Sequence, residues 1–127
     1  MSTSPRVALA AAIQVAVDAG WNVYGSPPEV LAIPAVVIRP GDPYQAPATA
    51  AGTAGAAWAF DIDIVVHRSS ADRGLDALEV ARETVTGALP VGYRWIEFGD
   101  IGELVVNKKT YLKGTLGVGV INTEGVG

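Results

Sequence analysis

The chain contains no cysteine, so disulfides, thiolate metal sites and cysteine nucleophiles are all excluded. It has one histidine, which removes any His-rich metal site and leaves only carboxylate ligation open. Cations are few. Nine Lys+Arg stand against thirteen Asp+Glu, the formal charge is −4, and the basic residues are scattered apart from one small group at Lys108, Lys109 and Lys113. A protein that grips nucleic acid phosphates needs the opposite balance. No stretch approaches the roughly 20 consecutive apolar residues of a membrane helix. The opening residues also lack the charged start and apolar run of a secretory signal, so the expected setting is a cytosol-like compartment. There is no G-x-S-x-G elbow, and Gly117-Val118-Gly119 lacks the third glycine and the following helix of a phosphate-binding loop.

What is present is a hydrophobic half and little charge. Half of the 127 residues are hydrophobic and 17% are charged, which suits one domain, 1–127, with a sizeable core. The best-ordered stretch is WAFDIDIVVHRSSADRGLDALEVARETVTGAL, residues 58–89. Its first part alternates strictly, with Trp58, Phe60, Ile62, Ile64 and Val66 on one face and Ala59, Asp61, Asp63, Val65 and His67 on the other. After a polar turn, Leu75, Leu78, Arg82, Val85 and Leu89 fall along one helical stripe around Ala81. Ser69 or Ser70 is the expected N-cap of that helix, and Gly87 with Pro90 its end.

Ahead of this unit, Ser4-Pro5 signals the start of a helix, with Val7, Ala10, Ile13 and Val17 at helical spacing and Gly20 as the expected C-cap. Asn22-Val23-Tyr24 reads as a short extended piece. Ala35-Val36-Val37-Ile38-Arg39 reads as a strand covered on both faces, because its apolarity is nearly continuous. Residues 41–56 show no periodicity and read either as a long flexible loop between two antiparallel strands or as an arm that orders on a partner, with Tyr44 as its anchor. Beyond residue 90 the chain reads as strands. Tyr93–Phe98 alternates, a turn is expected at Gly99-Asp100, and Tyr111–Ile121 alternates cleanly before a frayed tail at 122–127. Gly114, Gly117 and Gly119 are expected to admit a backbone or an aromatic ring close to that last strand. The fold class is α+β, with a mixed or mainly antiparallel sheet of about four to five strands flanked by two helices.

Asp61 and Asp63 lie about 7 Å apart on one strand face, a spacing open to metal binding or acid–base work. Two acids on the polar side of a half-buried strand are more often a solvated or interfacial face, and no base or nucleophile adjoins them in sequence. His67, on the same face beside a turn, is in the same position. Lys108 and Lys109, with Lys113, form the one local basic cluster and read as solvent-facing or as contacts to an acidic partner.

The PAVVIRPG strand, the Ala-rich opening helix, the 58–89 unit and the final KGTLGVGVIN together resemble the tail terminators of long-tailed, non-contractile bacteriophages. The resemblance spans most of the chain and rests on patterns of polarity. It implies a structural, non-enzymatic virion protein of the tail neck, assembled in the host cytoplasm without a cofactor. Such a protein forms a homo-oligomeric ring, commonly a hexamer, on the last ring of tail tube protein. The ring stops tube polymerisation and meets a head-side connector or stopper, and DNA passes through its channel without sequence-specific binding. The residues expected at partner or subunit interfaces are Asp42, Pro43, Tyr44, Gln45, Asp61, Asp63, His67, Lys108 and Lys109. Two alternatives stand beside it: another neck protein, a stopper or adaptor bound to the portal, and a small ligand-binding domain or enzyme using Asp61, Asp63 and His67.

Overall fold

The order of elements in the computed structural model is α1 (Pro5–Ala16), β1 (Asn22–Tyr24), β2 (Ala35–Pro47), β3 (Ala56–His67), α2 (Ala71–Ala88), β4 (Tyr93–Val106) and β5 (Lys109–Asn122). The structure describes residues 4–17, 20–47, 56–67 and 71–122; side chains at 42–47, 56, 71–72 and 121–122 fall outside that description. The expected caps at Ser69 and Ser70, the tail beyond Asn122 and the middle of the 41–56 segment therefore lie outside the described residues. The five strands form one sheet in the order β1-β2-β3-β5-β4, parallel between β1 and β2 and antiparallel elsewhere, which makes the fold α+β with a mixed sheet.

Both helices cover one face of the sheet. The core joins Leu9 and Ile13 of α1 and Leu78, Ala81 and Val85 of α2 to Val36, Ile38, Phe60, Ile62, Ile64, Val66, Leu116 and Val118 of the strands. Period-2 alternation supplies the strand side of that core and period-3.6 spacing the helix side. On β2, Ala35 and Val37 point the other way and are buried too, in agreement with a strand covered on both faces. No helix among the described residues is long and apolar enough to cross a membrane.

Local chemistry explains the start of α1. The Ser4 hydroxyl accepts from Val7 N–H at 3.2 Å and Pro5 opens α1, so one orphan amide is capped and another is absent. The helix ends earlier than Gly20: Val17 is already extended, and its N–H donates to Ile13 O at 3.0 Å. The buried stripe of α1 is Pro5, Leu9 and Ile13, while Val7 is exposed, so the spacing through Val7 was offset by part of a turn. Two long-range bonds hold this helix down, Tyr93 Oη donating to Pro5 O at 2.7 Å and Arg6 Nη1 to Gly25 O at 2.9 Å.

Two further sequence expectations are corrected. Residues 41–47 are not loop; they continue β2 past a break in register between Pro40 and Gln45. Gly99-Asp100 is not a turn, since β4 runs unbroken through it for fourteen residues. The reversal comes at Asn107-Lys108, where φ is 51° and 65°. Positive φ at both central residues is the type I′ arrangement, whose twist matches that of the flanking strands.

Candidate functional site

The face of the sheet turned away from the helices carries two of the sequence's polar candidates side by side. Alternation along β3 sends Asp61 and Asp63 there, and antiparallel register sets Arg39 of β2 opposite Asp61 and diagonal to Asp63. The diagonal partner wins. Arg39 donates from Nε to Asp63 Oδ2 at 2.6 Å and from Nη2 to Asp63 Oδ1 at 3.0 Å, a two-pronged ion pair. Thr115 of β5 adds a hydroxyl bond to the same Oδ1 at 2.8 Å. The contact with Asp63 holds the Arg39 guanidinium above its ordinary pKa; partial burial opposes this, and the charges of Asp63, Asp61 and Asp100 reinforce it.

One carboxylate thereby ties three adjacent strands together. Both Asp63 oxygens are engaged, so the arrangement suits clamping the sheet more than moving a proton. Asp61, Glu97, Asp100 and Arg39 surround a polar hollow of about 410 Å³ beside this clamp. Among the described residues, no group of three or more His, Cys, Asp or Glu side chains is placed to hold a metal ion.

The remaining sequence candidates are spread out. His67 is exposed at the end of β3, edge-on to Tyr111 with ring centroids 5.7 Å apart. Lys108 and Lys109 sit at the tip of the β4–β5 hairpin, toward the same end, because Tyr111 is the register partner of His67. Asp42, Pro43, Tyr44 and Gln45 belong to the outer part of β2 by backbone, and their side chains lie outside the description. The structure therefore brings Asp61 and Asp63 together with Arg39, and leaves His67 and the lysines at another end of the sheet.

Sequence reasoning passed over a second surface. β4 is an outer strand of the sheet, and Trp95, Ile96, Ile101 and Val105 along it are 47%, 65%, 47% and 65% exposed. Arg82 of α2 lies over the Trp95 ring at 5.3 Å, shielding one of its faces. Two β-bulges shape this strand, one between Trp95 and Glu97 and one between Gly99 and Gly102. Each adds a residue to β4, and the first has a plain packing result. It returns Phe98 to the helix side, where the ring covers Gly114; a Cβ on Gly114 would sit 2.6 Å from Phe98 Cζ. The expected approach of an aromatic ring to this glycine is met by a residue of the chain itself. A run of apolar residues beside turn-forming ones, IEFGDIG, was the available signal for a bulged outer strand.

No protein-family model matches the chain, and a search of curated proteins gives no match. Among solved structures, one similar chain belongs to a structure described as the virion of a native gene transfer agent particle. The identity is 22% and the TM-score 0.48, over 89% of this chain and 83% of that one. A likeness this distant assigns no function.

Proposed function

We propose that the chain is a structural subunit of a virion neck, a tail terminator that assembles as a ring on the end of the tail tube. The observation that carries this reading is the outer strand β4, with Trp95, Ile96, Ile101 and Val105 exposed along it. Apolar side chains gathered on one outer strand are a contact surface for protein, and Asp63, one of the two acids singled out for chemistry, is occupied in a structural clamp. The two sheet edges differ: one is made by the three residues of β1 and by β2 beyond Val37, the other by the fourteen residues of β4. Unlike edges favour head-to-tail contacts, and such contacts close into rings when the rotation allows. The sequence resemblance to tail terminators names the ring's place, between the tube protein and a head-side connector, with DNA passing through. A net charge of −4 suits a passage through which a polyanion slides without being held.

The test is electron microscopy of particles made without the protein. Overlong, uncapped tails separate from heads are expected; tails of normal length joined to heads would overturn the proposal. A pull-down that recovers portal-side protein and no tube protein would move the chain to a stopper or adaptor role.

A further inference from the structure

We infer that the two bulges of β4 are an edge guard: they keep the free chain from adding strands at this edge. The inference concerns the free subunit and stands whether or not the terminator reading holds. A fourteen-residue outer strand has a long row of outward N–H and C=O groups, and such an edge is a template for pairing with another chain. The apolar side chains Ile96, Ile101 and Val105 would strengthen that pairing. The bulges cut the ladder at two places. Ile96 has no partner between Val118 and Gly117, and Asp100-Ile101 together face the single residue Gly114. They divide the edge into the short runs 93–95, 97–99 and 102–106, and each bulge adds local twist. The second also needs positive φ at Asp100, 57°, a conformation that Asp tolerates and β-branched residues resist. A partner strand with ordinary period-2 geometry cannot follow this edge through either break. Contact with other subunits at this edge then runs through side chains, which can close a ring, and not through a backbone ladder, which can continue without end.

The register makes the guard removable. Deleting Ile96 joins Trp95 to Glu97 and leaves every other β4 residue on its present face, because one residue in excess is exactly what the bulge contains. Asp100→Val disfavours the second bulge, and Asp100→Asn, which also tolerates positive φ, is its control. Sedimentation velocity over a concentration series reads the result. The Ile96 deletion and D100V are expected to associate at concentrations lower than the parent by about tenfold or more, equal to ~1.4 kcal/mol, while D100N follows the parent. Variants that keep a native near-ultraviolet circular dichroism spectrum and share the parent's association curve would overturn the inference. If both variants unfold, hydrogen exchange on the parent at low concentration decides. Outward β4 amides that exchange far faster than the paired amides of β5 support an open, guarded edge; equal protection overturns it.

Discussion

At the scale of the residue, Asp63 does most to decide how the polar face is understood. By sequence it was one of two matching acids. In the fold it is buried, held by Arg39 in two-pronged geometry and by Thr115, while Asp61 two residues away stays partly open. Nothing local to DID distinguishes the two. The difference comes from which strand lies alongside and in what register, and neither can be read from a single stretch. The clamp has a cost that sets the expected size of its effect. The Asp63 side chain is 12% exposed and that of Arg39 38%, so solvent weakens the attraction below that of a fully buried pair. Asp63→Ala is expected to lower unfolding free energy by about 1–2 kcal/mol, less than the roughly 3–5 kcal/mol for breaking a buried pair. Urea titration of the wild type, D63A, R39A and the double variant gives the coupling. A coupling near zero would mean that the pair is an ordinary surface contact. An arginine is charged through the neutral and mildly alkaline range even at its ordinary pKa, and the contact with Asp63 only raises that value, so raising pH there leaves the clamp closed from the arginine side.

At the scale of the element, the β4–β5 hairpin carries a defect that is easy to test. Its turn places Lys108 at φ 65°, where a side chain costs roughly 1–2 kcal/mol that glycine does not incur. Lys108→Gly creates Asn-Gly, the strongest short hairpin signal, and is expected to raise stability by about 0.5–1 kcal/mol after the entropy of glycine in the unfolded chain is counted. Asn107→Val should do the reverse, by about 1 kcal/mol or more. Thermal melts followed by circular dichroism check both, and a stabilising N107V would contradict the turn assignment. The same hairpin shows where sequence reading stops. The alternation of β3, the Ser4-Pro5 start and the apolar run of β2 were legible because each is a local pattern with one physical outcome. Gly99-Asp100 was not, since a residue at ease with positive φ serves a turn and a bulge equally well. The choice between them is made by β5, which pairs with β4 from Lys109 to Val120 on both sides of Asp100 and so keeps the chain in the sheet. The early end of α1 has no such account in the sequence: Gly20 is a sound C-cap, and the helix leaves its course at Val17.

At the scale of the whole molecule, the question is whether the outer strand is a contact surface or merely tolerated exposure. Stability alone cannot separate these, because exposed positions change folding free energy by about 0.5 kcal/mol or less in either case. Assembly can. Ile96 and Val105 stand toward opposite ends of β4, and each is 65% exposed. Replacing both with lysine should leave the melting temperature near that of the parent, yet place two hydrated charges in a contact that depends on desolvated apolar groups. Val15 of α1, 87% exposed, provides the matched control on another surface. In particles lacking the native protein, V15K is expected to restore normal tail length and head attachment, and I96K/V105K is expected to fail while remaining folded. If the pair variant restores assembly as well as V15K does, β4 is not the contact and the ring reading loses its support. If both fail, contacts extend over the helical face as well, where the apolar groove of about 370 Å³ between the end of α1 and α2 is the next surface to change, through Val80 and Ala77.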